Sequence, residues 1–208
     1  MLTVRAYAKV NFTLEVLGRR EDGYHHTASV MQTLDLWDEI SLTASDQITL
    51  QCNVPSLETP DNLVLKATAL LREHTGYSGG VEIYLSKAIP LASGLGGGSS
   101  DAAATLKALI HLWRLDLKPE ELMHLAISIG SDVPFFLRGG TAIVEGRGEE
   151  IHTLAPMPAT YLVLLVPTVE IPDKTANMYG RLTPEYFTKG EASSRFLHSL
   201  EDGKRPNE

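Results

Sequence analysis

The densest group of glycines in this chain lies in the segment PLASGLGGGSSDAA, residues 90–103. Four of the five positions from 94 to 98 are glycine, and an alanine-rich stretch with the apolar spacing of a helix follows at once. Glycine in an ordered segment costs roughly 0.5–1 kcal/mol relative to alanine. The sequence therefore predicts a use for this backbone. Three interpretations compete: a flexible hinge, a tight packing contact, or a cradle in which a ligand touches the backbone.

A cradle for an anion such as phosphate is the interpretation that the surroundings favour. A hinge would not lead straight into a well-patterned helix, and packing alone seldom needs three consecutive glycines. The N–H groups of the loop and the N-terminus of the following helix can together receive an anion. The common templates do not fit, because no lysine follows the glycines as in a P-loop, and Gly94-x-Gly96 lacks the third glycine of a dinucleotide fingerprint. Hinge and packing stay open as alternatives.

Three polar residues elsewhere in the chain could act on a bound ligand. Lys9 and Asn11 lie two residues apart in an alternating segment and project from the same side of a predicted strand. Asp132 stands between Gly130, which ends a predicted helix, and Pro134, so its backbone is constrained. Each also has an ordinary interpretation: a solvated strand lysine, a surface asparagine, and a turn aspartate that accepts nearby N–H groups.

The elements that must position these residues are a mixture of strands and helices. Alternating apolar and polar residues predict a half-buried strand over 6–16. Further segments are predicted as one or two strands over 28–45, strands over 46–54 and 80–90, a hairpin over 139–154 and a buried strand over 159–167. Helices are predicted over 61–77, from the glycine segment to Trp113, and over 118–130. This order is not a regular βαβ array, and it predicts an α+β fold.

Composition excludes several classes of partner. The chain has 208 residues and a formal net charge of −8, so broad attraction to nucleic acid or to an anionic membrane is not expected. The single cysteine, Cys52, excludes an internal disulfide and argues against a cysteine-built metal site. The N-terminus lacks the continuous apolar core of a secretory signal, and the run YLVLLV at 161–166 is too short to span a bilayer. These features predict a cytoplasmic protein that binds neither nucleic acid nor membrane.

Taken with its flanks, the glycine segment resembles the second motif of the GHMP kinases, the family named for galactokinase, homoserine kinase, mevalonate kinase and phosphomevalonate kinase. Two further segments carry the resemblance, AKVNFTLEVLGRREDGYHH upstream and GSDVPFFLRGGTA downstream. The resemblance covers residues 5 to about 180. It implies the α+β GHMP kinase fold, in which a ribosomal-S5-like N-terminal domain precedes an α+β C-terminal domain, with the active site between them.

The resemblance also implies the parts of an ATP-dependent kinase that phosphorylates an alcohol. The residues that would wrap the phosphates of ATP are Pro90, Leu91, Ala92, Ser93, Gly94, Leu95, Gly96, Gly97, Gly98, Ser99 and Ser100. Asp132 would accept the proton of the substrate hydroxyl, and Lys9 would keep that carboxylate ionised and steady the transferring phosphoryl group. Mg²⁺ is expected with ATP, and the sequence does not decide whether Ser99 or Ser100 touches it. Asp101 would repel a phosphate, so its side chain is expected to point away from the nucleotide.

The substrate that the resemblance implies is a cytidine-diphosphate sugar alcohol of the non-mevalonate route to isoprenoid precursors. Tyr24 would stack on the cytosine and His25 would hydrogen-bond its edge, although on their own they are an ordinary exposed aromatic and imidazole. Asn11 would hydrogen-bond the substrate near its reacting hydroxyl, Tyr179 would form a second aromatic wall, and Thr175 would line the pocket. Two rivals stay open: another GHMP kinase acting on mevalonate or homoserine, and a nucleotide-binding module without turnover.

The expected domains are an N-terminal ATP-binding and catalytic domain over 1–157 and a partial C-terminal domain over 158–208. GHMP kinases carry another glycine- and serine-rich segment near their C-terminus, and the stretch TPEYFTKGEASSRFLHSLEDGKRPNE does not contain it. We therefore expect a C-terminally truncated form of the kinase. Such a form is expected to self-associate through its incomplete second domain and to turn over weakly or not at all.

Overall fold

Strands and helices alternate irregularly along the chain, and a computed structural model describes residues 1–166 and 174–201, except for the side chains of 174–176 and 201. In chain order the strands are β1 (Leu2–Asn11), β2 (Glu15–Arg19), β3 (His25–Ser45), β4 (Ile48–Cys52), β5 (Gly80–Ser86), β6 (Thr141–Gly146) and β7 (Glu150–Thr153). The helices are α1 (Leu63–Thr75), α2 (Gly97–Leu112), α3 (Pro119–Ile129), α4 (Val133–Arg138), α5 (Lys174–Tyr179) and α6 (Glu191–Glu201). This mixture confirms the predicted α+β class.

Two compact units are each built from two separate segments of the chain. The first unit comprises Met1–Lys9 and Leu34–Arg138, and the second comprises Val10–Thr33 and Gly139–Glu208. The chain therefore passes from one unit to the other within β1, within β3 and after α4. The predicted domain boundary between residues 157 and 158 describes a division along the sequence, and it stays a prediction.

The first unit packs helices on a sheet of mixed direction. Strand β5 pairs antiparallel with the later part of β3, from Glu39 opposite Ser86 to Ser45 opposite Gly80, and parallel with β4. Helix α1 supplies the crossover that a parallel pair needs. Large aliphatic side chains that are at most 2% exposed form the core: Ile40, Leu42, Val64, Leu71, Val81, Ile83, Leu85, Leu106 and Leu109.

Helices α1, α2 and α3 begin and end within two residues of the bounds that the sequence predicts. The side chain of Asn62 accepts the N–H of Val64 at 2.9 Å and caps α1, and Gly76 ends it with a left-handed φ of 66°. Helix α3 starts with Pro119. The short helix α4 was not predicted, because Pro134 next to its start suggested a turn rather than a first helical position.

The second unit contains the predicted hairpin, β6 and β7, beside the early part of β3. Strand β3 pairs antiparallel with β6 and with β2. The carboxylate of Glu15, on β2, accepts the N–H groups of Ala192 and Ser193 at 3.2 and 2.7 Å and so caps α6. Burial by itself would raise the pKa of Glu15, but these hydrogen bonds outweigh burial and lower it.

Two strand predictions were wrong in part or entirely. The alternating segment 6–16 is not one strand, because β1 ends at Asn11 and β2 begins at Glu15. The run Tyr161–Val166 is neither strand nor buried: Tyr161 is fully exposed, and Val163 and Leu165 are almost so. A strand exists only through hydrogen bonds to a neighbour. In the described part of the chain no strand pairs with this run. Across the same residues, none of the helices has the length and apolar character to cross a bilayer.

Candidate active site

The glycine segment joins β5 to α2, and its glycines meet different requirements. Gly94 and Gly96 have left-handed φ values of 84° and 72°, which favour glycine. A Cβ at Gly96 would also lie 2.7 Å from Cζ of Phe136, and one at Gly97 would lie 3.1 Å from Nζ of Lys87. A Cβ at Gly98 would make only an ordinary van der Waals contact, at 3.7 Å from Cδ1 of Leu63. Backbone shape and close packing therefore both contribute to the choice of glycine.

Strand β1 holds this loop in place, which argues against a hinge. The N–H of Lys9 donates to the carbonyl of Leu95 at 2.9 Å. The hydroxyl of Ser100 donates to the carbonyl of Tyr7 at 2.6 Å. Leu95 also packs with Ala8 and other apolar side chains in a small cluster under the loop. The loop is thus fastened at its middle and at its end.

The N-terminus of α2 has the geometry of an anion cradle. Its N-cap is Gly96, which has no side chain to accept the first N–H groups of the helix. The N–H of Ser100 is the first to bond within the helix, to the carbonyl of Gly96. The N–H groups of Gly97, Gly98 and Ser99 therefore lack intrahelical acceptors, and the dipole of a 16-residue helix adds to their attraction for an anion.

Lys9 contacts both the loop and Asp132. Its Nζ lies 3.3 Å from Oδ2 of Asp132, and its Cγ would be 3.1 Å from a Cβ at Gly96. The lysine side chain is 7% exposed, whereas that of Asp132 is 33% exposed. The solvated-lysine interpretation is therefore wrong. The ion pair sets a nearly buried ammonium beside a carboxylate that a ligand can reach.

The side chain of Asp101 points into the interior of the first unit, where it is 2% exposed. That it points away from a bound nucleotide stays a prediction. Its Oδ2 accepts a hydrogen bond from Nζ of Lys87 at 2.6 Å, and Lys87 also donates to Asp38. Burial raises the pKa of Asp101, Lys87 lowers it and the charge of Asp38 raises it, and the net result is a pKa raised to about 7. Burial would lower the pKa of Lys87, but the two carboxylates outweigh burial and raise it. Lys87 and Asp38 were not predicted, because their only signal in the sequence is a charged residue at the end of one apolar strand and another within a second strand.

Two of the predicted cytosine-binding residues lie together in the second unit. The rings of His25 and Tyr179 have centroids 5.3 Å apart, and Phe187 lies edge-on to His25 at 6.2 Å. Tyr24 is half-exposed, and the guanidinium of Arg147 lies 5.1 Å from its ring centroid. Phe187 and Arg147 were missed, because pairing between distant loops leaves no periodic signal in a sequence.

Asn11 and Thr175 are the remaining residues that were predicted to bind the substrate. Nδ2 of Asn11 donates to the hydroxyl of Ser29 at 2.7 Å, so the asparagine is not simply a solvated surface residue. The side chain of Thr175 lies outside the described residues. Within the part of the chain that the structure describes, no group of three or more His, Cys, Asp or Glu side chains could hold a metal ion.

Residues 62–140 match the protein family described as the GHMP kinases N-terminal domain. A 4-diphosphocytidyl-2-C-methyl-D-erythritol kinase of Dehalococcoides mccartyi is 46% identical over 98% of this chain and 72% of its own length. A protein of that description from Caldanaerobacter subterraneus is 43% identical over 97% of this chain and 70% of its own length.

Solved structures agree with these relatives. A crystal structure of a 4-(cytidine 5'-diphospho)-2C-methyl-D-erythritol kinase superposes with a TM-score of 0.79 at 36% identity, over 99% of this chain and 73% of that one. The mevalonate kinase of Methanococcus jannaschii, at 15% identity and a TM-score of 0.63 over 97% of this chain and 72% of that one, shares the fold alone.

Fold, loop and relatives together define the class, and the chain belongs to the GHMP kinases, which are ATP-dependent small-molecule kinases. Within that class it is a member of the 4-diphosphocytidyl-2-C-methyl-D-erythritol kinase family. It spans about 72% of the length of the Dehalococcoides relative. The resemblance stated from the motifs is thereby confirmed.

Proposed function

We propose that this chain carries the nucleotide-binding and phosphoryl-transfer residues of a kinase that phosphorylates a hydroxyl of 4-diphosphocytidyl-2-C-methyl-D-erythritol with ATP. The observation that carries the proposal is the placement of Lys9, which contacts the glycine loop at Gly96 and pairs with Asp132 at 3.3 Å. One side chain thus links the anion cradle to the carboxylate that a phosphoryl transfer to an alcohol requires.

In this proposal Asp132 accepts the proton of the substrate hydroxyl, and Lys9 orients the Asp132 carboxylate. Phosphoryl transfer needs little covalent chemistry from the protein, so catalysis is mostly positioning and stabilisation of charge. The ammonium of Lys9 is nearly buried. Its charge therefore acts more strongly on a phosphoryl oxygen than it would in water. The one-third exposure of Asp132 leaves its carboxylate within reach of a hydroxyl.

The residues from Pro90 to Ser100 hold the phosphates of ATP in this proposal, mainly through the N–H groups at the start of α2. Mg²⁺ would neutralise part of the phosphate charge. The ion needs few protein ligands, because it keeps several waters and binds phosphate oxygens directly. The hydroxyl of Ser100 is buried and donates to Tyr7. Ser99, which is only half-buried, is therefore the better candidate for contact with the metal.

In this proposal the aromatic residues of the second unit bind the cytosine. Tyr24 offers a half-exposed ring on which a base can stack, and His25 and Tyr179 lie with their rings together. A mevalonate or homoserine substrate has no base to stack. We further propose a cytoplasmic location, because the single thiol, Cys52, is free and buried and suits a reducing compartment.

The test is an assay of ATP consumption with three acceptor alcohols: 4-diphosphocytidyl-2-C-methyl-D-erythritol, mevalonate and homoserine. We expect consumption above background only with the cytidine compound, and formation of its phosphate ester by mass spectrometry. Consumption that rises with mevalonate or homoserine instead would reassign the substrate. ATP binding with no consumption in the presence of any acceptor would identify a nucleotide-binding module.

A further inference from the structure

A buried group of three charged residues, Asp38, Lys87 and Asp101, lies under the glycine loop and takes no part in the proposed chemistry. Their side chains are 0%, 5% and 2% exposed. Lys87 donates to both carboxylates, to Oδ2 of Asp101 at 2.6 Å and to Oδ2 of Asp38. We call this group the Asp38–Lys87–Asp101 bridge.

The bridge joins the two ends of the glycine loop. Oδ1 of Asp38 accepts the N–H groups of Ala88 and Ile89 at 2.6 and 2.8 Å, and these are the last two residues before Pro90. Asp101 is the first residue after Ser100, where the loop has become the first turn of α2. Lys87 connects the carboxylate at one end with the carboxylate at the other.

The ammonium of Lys87 also lies directly under the N-terminus of α2. A Cβ at Gly97 would be 3.1 Å from its Nζ and 3.2 Å from Cγ2 of Ile89. The backbone at Gly97 therefore lies close against the bridge, and a side chain there would require Lys87 or Ile89 to shift. Any change in the length of the bridge would move the N–H groups that form the anion cradle.

Charge alone gives no reason for this arrangement under a phosphate site. Two carboxylates and one ammonium carry a net charge of −1 when both carboxylates are ionised, and that charge opposes a bound anion. Burying three charged groups is also costly, and ion pairs of this kind often add little to stability. A geometric role remains, because such a bridge fixes distances that an apolar contact would leave adjustable.

We propose that the Asp38–Lys87–Asp101 bridge positions the phosphate-binding loop, with Lys87 as a positioning residue and not a ligand of the nucleotide. The proposal rests on ATP being the ligand of this loop, as in the proposed function. The bridge holds the loop ends at a fixed separation, so that the N–H groups of Gly97, Gly98 and Ser99 point at the phosphates before ATP arrives. Preorganisation of this kind raises affinity by lowering the entropic cost of binding.

Two substitutions at Asp101 separate geometry from charge. Asp101→Asn removes the charge but keeps an oxygen that can accept from Lys87, and it loses no partner at Oδ1, which has none in the described residues. Asp101→Ala removes both the charge and the acceptor. The matched control is Asp61→Ala, which removes an exposed carboxylate paired with Lys66 on the surface of the same unit. The Kd for ATP with Mg²⁺ is measured by calorimetry without an acceptor alcohol, together with the melting temperature of each variant.

We expect Asp101→Asn and Asp61→Ala to bind ATP within about 2-fold of the wild type, and Asp101→Ala to bind at least about 10-fold more weakly, a loss of about 1.4 kcal/mol. The expected weakening of ATP binding is opposite to the effect of charge alone, since removing a carboxylate should by itself favour binding of an anion. Tighter binding by both Asp101 variants would show that charge dominates and would overturn the proposal. So would a lowered melting temperature in Asp101→Ala with an unchanged Kd, because the bridge would then serve stability alone.

A second variant keeps the proposal testable if Asp101→Ala does not fold. The triple substitution Asp38→Asn, Lys87→Met and Asp101→Leu removes all three charges together, so that no buried charge is left without a partner. The amide oxygen at position 38 can still accept the N–H groups of Ala88 and Ile89. Binding of ATP at least about 10-fold weaker than wild type supports the proposal, and wild-type affinity overturns it.

The proposed function and this inference fail in different ways. A wild-type chain that binds ATP but phosphorylates no alcohol contradicts the function and leaves the role of the bridge intact. Variants without the bridge that bind ATP as the wild type does contradict the inference alone. A wild-type chain that binds no ATP contradicts both.

Discussion

At the scale of single residues, the placement of Lys9 separates a functional interpretation from an ordinary one. A lysine in the middle of a strand is usually solvated, yet this one is nearly buried and its Nζ lies 3.3 Å from Asp132. The alternation of apolar and polar residues predicted that Lys9 lies on the polar face of β1. The distance to a residue 123 positions away depends on tertiary packing, which alternation does not encode.

If Asp132 accepts the proton of the hydroxyl, Asp132→Asn should lower kcat by at least about 100-fold, within the range of general acid–base effects. The Kd for ATP should stay unchanged, because Asp132 is outside the loop. Steady-state kinetics and calorimetry on the folded variant check both expectations. Turnover close to that of the wild type would remove Asp132 from the mechanism.

Asp101 predicts how stability depends on pH. Its pKa is raised to about 7 in the folded chain, so between about pH 4 and pH 7 the folded state binds a proton that the unfolded state has lost. The free energy of unfolding should therefore fall as pH rises through this window, by up to about 1.4 kcal/mol per pH unit. The charged groups that face Asp101 are Asp38 and Lys87, and the Cys52 thiol lies within electrostatic range.

The measurement is urea unfolding of the wild type and of Asp101→Asn at several pH values from 4.5 to 7.5, chosen by the window above. The difference between the two chains isolates Asp101 from the carboxylates whose pKa is lowered, such as Glu15. Wild-type stability should fall relative to Asp101→Asn as pH rises. A constant difference across the range would contradict the expectation.

Tyr24 tests recognition of the base. Tyr24→Ala should raise KM for the cytidine substrate by about 10-fold or more, because stacking on a base is worth about 1–3 kcal/mol, and it should leave KM for ATP nearly unchanged. The control is Tyr84→Ala, which removes another half-exposed tyrosine, on β5. Equal effects on both substrates would make the loop that contains Tyr24 structural only.

At the scale of elements, the sequence predicted the helices whose ends are set by local signals, such as a capping side chain or a glycine. The helix at Asn62 begins with a side-chain cap and ends at a glycine, and both signals are chemical properties of single residues. The run Tyr161–Val166 has the composition of a buried strand, yet a strand also needs a paired neighbour. Composition records only the first of these conditions, and this is why that prediction failed.

The glycine loop predicts a contrast between two neighbouring substitutions. Gly96→Ala should lower the free energy of unfolding by at least about 1–2 kcal/mol, because it combines a left-handed φ with a Cβ 2.7 Å from the Phe136 ring. Gly98→Ala should be neutral or stabilising, since its Cβ meets only an ordinary contact and alanine is the better helix former. Chemical denaturation of both variants is the measurement. Equal stability would show that the loop relaxes around Gly96.

At the scale of the whole molecule, the described surface includes a continuous apolar run at Tyr161–Val166. Val163 and Leu165 are 88% and 89% exposed, well beyond the isolated apolar residues of an ordinary surface. The hydropathy of the run, taken alone, predicted burial. We propose that the chain self-associates through this run.

Light scattering should therefore give a mass that rises with protein concentration. The double substitution Val163→Lys with Leu165→Lys should return it to that of one chain, since two charges oppose apolar contact. The control is Leu14→Lys, at another exposed leucine. A concentration-independent mass of one chain for the wild type would contradict the proposal.

The division of both units into two segments has a consequence for how such a kinase can be recombined. Because the chain passes between the units after residues 9, 33 and 138, neither unit corresponds to one contiguous stretch of gene. A chimera that exchanges the second unit between two relatives needs three junctions, two of them inside β1 and β3. A single crossover within Val10–Arg138 would divide both units between the two parents. Homologous exchange should therefore preserve the nucleotide-binding unit best when the crossover falls after residue 138.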